Sequence, residues 1–70
     1  MIIAVNMKNY KFGAGRFTCS MQGFGMLDTD TDQFVSMDGR VPYVLRTKKI
    51  VEGCIAAGWP EQIRLRVSHR

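Results

Sequence analysis

Three carboxylates at alternate positions, Asp28, Asp30 and Asp32, are the residues of this chain whose type and spacing most suggest chemistry. Alternate aspartates open a calcium loop, where they converge on one hard cation. The rest of that pattern is missing. Its sixth position is Gln33 where the sharp turn needs glycine, and its twelfth is Gly39 where the ion needs a bidentate glutamate. The alternatives are a solvated Asx-turn loop and a set of carboxylates that imitate phosphates toward a basic groove on a partner. Nucleophilic catalysis finds less. His69 is the single histidine and stands one residue from the C-terminal Arg70, where fraying is expected, so a serine or cysteine would have no rigid base. Cys19 and Cys54 lack CxxC spacing and are expected to be reduced, buried thiols. Gly13-Ala14-Gly15 and Gly23-Phe24-Gly25 stop short of either phosphate-binding glycine motif. The expectation is therefore a non-enzymatic chain with no metal and no cofactor.

The elements that must position these residues follow from periodicity. Residues 2 to 7 are apolar and β-branched enough for a strand, expected to be central, and the stretch 9 to 15 supplies a turn. Arg16 to Gln22 alternates, with Phe17, Cys19 and Met21 on one face and Arg16, Thr18, Ser20 and Gln22 on the other, as in a half-buried antiparallel strand. Gly23-Phe24-Gly25 should bend the chain. Asp38-Gly39 predicts a hairpin between Gln33–Met37 and Arg40–Leu45, with Pro42 confining the second arm to an edge or ending it early. Thr47 can cap a helix over residues 48 to 57, whose apolar face holds Ile50, Val51, Cys54 and Ile55 and which stops at Gly58. Pro60 blocks continuation. Alternation then predicts a last strand over residues 62 to 68, with Ile63, Leu65 and Val67 inward and Arg64 and Arg66 outward.

The result is a single α+β domain: a small antiparallel sheet of four or five strands in the order β-β-β-β-α-β, with one helix on one face. The other face is expected to be polar, carrying Arg16, Thr18, Ser20, Gln22, Arg64, Arg66 and Arg70. A chain of 70 residues hides only about 60% of its unfolded surface, so its stability should be roughly 3 to 5 kcal/mol. No basic leader precedes the short apolar start, and no 18-residue apolar stretch occurs, which points to the cytoplasm and away from the membrane.

Charge is unevenly spread. Four of the six acids, Asp28, Asp30, Asp32 and Asp38, share a stretch without a base, whereas residues 40 to 70 hold seven bases against two acids. The net charge of +4 suits contact with phosphates or with an acidic protein surface. Lys48 and Lys49 fall in the first helical turn, the unfavourable end of the helix dipole for a cation. Trp59 is either a core plug or an exposed anchor.

Gln22-Gly23-Phe24-Gly25-Met26-Leu27 resembles the Lys-Gly-Phe-Gly-Phe-Ile segment of cold-shock domains, and Asp32-Gln33-Phe34-Val35 resembles their Asp-Val-Phe-Val. The resemblance covers about a fifth of the chain and departs from the family at Gln22, Met26 and Ser36. It implies an OB-type surface that stacks bases on exposed aromatics, here Phe17, Phe24 and Phe34.

Two functions follow as expectations. The first is a regulator or inhibitor that docks on a larger host protein or nucleoprotein complex through Asp28, Asp30, Asp32, Arg16, Arg64 and Arg66; by analogy of size, phage and mobile-element proteins that block host defences are chains like this one. The alternative is direct single-stranded nucleic-acid binding through Phe17, Phe24, Phe34, Arg64, Arg66, Lys48 and Lys49. A homodimer is compatible with either.

Overall fold

Phe24-Gly25-Met26-Leu27 is a continuous apolar run, and a strand buried on both faces is written that way. In the computed structural model, which describes residues 1–14 and 16–69 but not the side chains of Ala14 and Phe17, this run lies at the centre of the main sheet. Strand β1 (Ile2–Asn6) leads through a 3₁₀ turn (Met7–Asn9) into a ribbon of β2 (Phe12–Ala14) and β3 (Phe17–Cys19). Strands β4 (Phe24–Asp28), β5 (Gln33–Val35) and β6 (Val44–Leu45) follow, then helices α1 (Lys48–Ala56) and α2 (Trp59–Gln62) and a last strand, β7 (Arg66–Ser68). The main sheet is antiparallel in the order β1-β4-β5-β7, with β6 beside β5 along the same edge of β4.

The architecture is the expected α+β one, with a five-stranded antiparallel sheet and a helix packed on it. Thr47 caps α1 as predicted, its Oγ1 accepting from the Ile50 N–H at 3.2 Å. Gly58 ends that helix with φ +86°, a conformation that costs a side-chain-bearing residue strain.

Packing divides the core in two. Between the sheet and α1, Met26 and Val35 meet Val51 of the helix, with Ile2, Ala4, Phe24, Leu45 and the helix's Ile55 around them. On the opposite face Met7, Leu27 and Phe34 are buried beneath Tyr10, Phe12 and Met21. Both the 3₁₀ turn and the ribbon thus cover the face that was expected to be polar. Gly25 lets the 3₁₀ turn approach: a Cβ there would lie 2.5 Å from the Met7 sulfur, too close for any side chain.

Four expectations are corrected here. Strand β1 is an edge, because β4 holds the centre with partners on both sides. The alternating segment forms only β3 and pairs with β2, since period-two alternation suits a separate ribbon as well as a sheet strand. Asp38-Gly39 turns the chain, but its arms share a single backbone bond, Tyr43 N–H to the Val35 carbonyl at 2.9 Å, and β6 pairs with β4. Pro42, donorless, is buried. Finally, Pro60 sits in the first turn of α2, where its missing N–H is harmless, and β7 begins only at Arg66. Arg70 and the Gly15 of the predicted turn lie outside the described residues. Among the described residues no helix is long and apolar enough to cross a membrane.

Candidate functional site

Each carboxylate of the acidic loop has a partner within the chain. Asp28 accepts from the Asp30 N–H at 3.0 Å and lies 3.8 Å from Arg66 Nε, both side chains largely buried. Asp30 pairs with the amino group of Met1 at 2.8 Å. Asp32, at φ +56°, stands 3.1 Å from His69 Nε2. The three side chains diverge to different partners, and among the described residues no three His, Cys, Asp or Glu groups gather as a metal site.

His69 is docked, contrary to the expected fraying. Its ring meets Tyr10 edge-on at 5.1 Å and Phe34 at 5.7 Å, with Asp32 fixing the remaining side.

Arg66 is a structural clamp and not an outward cation. Its guanidinium donates to the carbonyls of Ile63, Leu65 and Pro60, tying the end of α2 to the start of β7. Alternation predicted an outward Cβ, but Arg66 stands opposite Val35, on the face of the sheet that the helices cover, and its guanidinium turns to backbone carbonyls at and beyond the end of α2. Arg64, Lys48, Lys49 and Arg16 remain exposed. An open cleft of about 670 Å³ brings Asp28, Asp30 and Glu61 together with Arg64 and Arg66; its mixed charge and width give no water-excluding chamber.

The aromatics are distributed differently from the cold-shock resemblance. Phe34 is fully buried, meeting Tyr10 at 5.0 Å and Phe12 at 5.3 Å, so no face is open to a base. Phe24 packs half-buried in the helix-facing core. The side chain of Phe17 is outside the described residues.

The surface that the sequence reading missed lies at the end of the sheet where β5 finishes and β7 begins. Ser36 is wholly buried there. Its hydroxyl donates to the Val41 carbonyl and accepts from the Gly39 N–H at 2.8 Å, while its own N–H donates to the Leu65 carbonyl at 3.0 Å. Asp38 accepts from the N–H groups of Arg40 at 2.8 Å and Val41 at 3.1 Å. These backbone donors, first Arg40 and then Val41, aided by the Ser36 hydroxyl, hold the Asp38 carboxyl below its ordinary pKa against a smaller opposing effect of desolvation.

That polar framework presents apolar side chains outward. Met37, Val41 and Leu65 are 58%, 53% and 50% exposed. Tyr43, whose N–H bonds to the Val35 carbonyl just before Ser36, carries Trp59 stacked on it, with ring centroids 5.9 Å apart and planes 17° from parallel, and Trp59 still exposes about a third of its surface. The exposed Arg40 and Arg64 adjoin this patch in sequence, next to Val41 and Leu65. Alternation assigned Leu65 inward, and Met37 and Val41 to hairpin arms; only the GWP segment around Trp59 hinted at an exposed anchor. No protein-family model matches the chain, and neither curated proteins nor solved structures give a match.

Proposed function

We propose that this chain is a non-enzymatic binding protein, a regulator or inhibitor that docks on a larger protein through the exposed end of its sheet. The observation that carries the reading is the Tyr43–Trp59 stack, half open and accompanied by exposed Met37, Val41 and Leu65. Tryptophan, tyrosine and arginine dominate the energetics of protein interfaces, and methionine adapts to irregular partners. Soluble domains rarely leave such side chains grouped at the surface without use. Arg40 and Arg64 beside the patch favour a partner that is apolar at its centre and acidic at its rim.

The acidic loop contributes less to this reading than its sequence suggests, because Asp28, Asp30 and Asp32 are engaged within the chain. By chain size, the class of partner we assign is a host nuclease or defence complex, the target of many small phage inhibitors.

The test is affinity capture with purified wild-type chain and three variants: Trp59→Ala with Leu65→Ser, Asp30→Asn with Asp32→Asn, and Arg64→Ala. A stoichiometric protein partner retained by wild type and by the aspartate variant, and lost by the Trp59/Leu65 variant, is the expected result. Retention by the Trp59/Leu65 variant would overturn the assignment of the surface. In parallel, oligonucleotide anisotropy is expected to give no binding at physiological salt; micromolar binding that collapses on Arg64→Ala would replace the protein partner with single-stranded nucleic acid.

A further inference from the structure

Among the described residues, strand β1 presents an unpaired edge. Its register with β4 pairs Ile3 with Leu27 and Val5 with Gly25, and the two backbone bonds that extend the ladder join Thr29 N–H to the Met1 carbonyl and Met7 N–H to the Gly23 carbonyl. In an antiparallel pair, hydrogen-bonded residues alternate with residues whose N–H and C=O point away. Odd positions of β1 therefore bond to β4, and the backbone groups of Ile2 and Ala4, with the N–H of Asn6, face outward. None of the described residues pairs with β1 on that side.

Sheet edges are normally protected by proline, by charge, by a bulge or by brevity. Ile2-Ile3-Ala4-Val5-Asn6 has none of these: it is five residues long, uncharged and apolar up to Asn6. Ile3 is 36% exposed on the ribbon side. On the helix side an open groove runs along the strand, bounded by Lys48, Glu52, Ile55 and Ala56 of α1.

We infer that β1 is a dimerisation strand whose occupant is the β1 of a second copy, joined antiparallel about a two-fold axis at Ala4. The geometry is self-complementary. Pairing Ala4 with Ala4 of the second copy lets each Ala4 N–H meet the other Ala4 carbonyl, and each Asn6 N–H meet the other Ile2 carbonyl, so four backbone bonds join the copies and only the Ile2 N–H is left at each end of the seam. The same axis sets Ile3 opposite Val5 of the other copy, an aliphatic cross-strand pair on the ribbon side. Charge favours this edge over the rest of the surface. Copies carrying +4 each repel one another, but Lys48 and Glu52 leave the groove without net charge. Two copies joined here form one continuous sheet, and the inference does not depend on what the exposed sheet end binds.

Sedimentation equilibrium of wild type, Ala4→Pro and Ile3→Lys over micromolar to millimolar concentrations tests it. Ala4 N–H points outward, so proline removes a dimer bond and blocks approach while leaving the β1–β4 ladder intact. Ile3→Lys places a charge on the edge without touching the backbone, which keeps the test open should the proline variant fold poorly. Wild type is expected to show twice the 7.9 kDa monomer mass, and each folded variant at least a tenfold weaker association. A wild type that stays monomeric throughout, or a dimer whose association is unchanged in Ile3→Lys, overturns the inference.

Discussion

The acidic loop at residues 28–32 and the turn at residues 36–41 are both short connections built around aspartate, three in the loop and Asp38 alone in the turn, yet they do opposite things with their side chains. In the loop, carboxylates that look free are held by Met1, Arg66 and His69. In the turn, Ser36 and Asp38 bind the backbone so thoroughly that the neighbouring apolar side chains, Met37 and Val41, are pushed into solvent. Residue type describes what a group can do, whereas its partners decide whether it is still available to do it. Here the charged groups are taken up by partners within the chain, and the side chains that the turn leaves in solvent include the apolar Met37 and Val41.

The strongest way to break this contrast is through Arg66. Arg66→Ala removes the donor to three carbonyls and the neighbour of a mostly buried Asp28, and is expected to destabilise the chain by about 2 kcal/mol or more. Arg64→Ala, two residues away and exposed, should shift stability by no more than about 0.5 kcal/mol. Urea denaturation of the two variants distinguishes them, and equal effects would mean that Arg66 is not a clamp.

A smaller effect is expected of the turn. The Asp38 carboxyl has a folded pKa below its unfolded value, so its contribution to stability is complete above about pH 4 and is lost as pH falls through the folded value. Asp38→Asn should therefore flatten the acid side of the stability profile while leaving the slope near pH 7 unchanged. Thermal melts between pH 2 and pH 7 would read this, and an unaltered acid limb would remove Asp38 from the account of the turn.

The smallest effect sharpens the contrast from the other side. Asp30 and Asp32 are exposed surface partners, and Asp30→Asn with Asp32→Asn should cost at most about 1 kcal/mol, an effect that salt diminishes. A loss of several kcal/mol, measured at low and high salt, would make the loop a keystone of the fold.

The α+β class, α1 with its Thr47 cap and the stop at Gly58 were legible because each rests on local rules: a hydroxyl before an apolar period, and glycine after it. Placement of the ribbon was not. The Phe17–Cys19 alternation is the same whether the strand joins the main sheet or only β2, and nothing local to it records that Gly25 admits Met7 onto the face of β4 that this strand was expected to share. Arg66 was misread for a related reason: period two separates two faces but does not say that both are covered, and Arg66, opposite Val35, lies on the helix side, where its guanidinium finds the Ile63 and Pro60 carbonyls. Trp59 was left between core and surface by its sequence, and the structure gives it something of both, one face on Tyr43 and an edge in solvent.

That half-open stack also equips the molecule with an internal reporter. Trp59 is the sole tryptophan, so near-ultraviolet excitation beyond the tyrosine band selects one ring at the end of the sheet. Its emission should shift to shorter wavelength when a partner excludes water from the exposed edge. A shift that persists in Ile3→Lys belongs to the exposed ring and not to pairing along β1, which allows the two associations to be followed separately in the same cuvette.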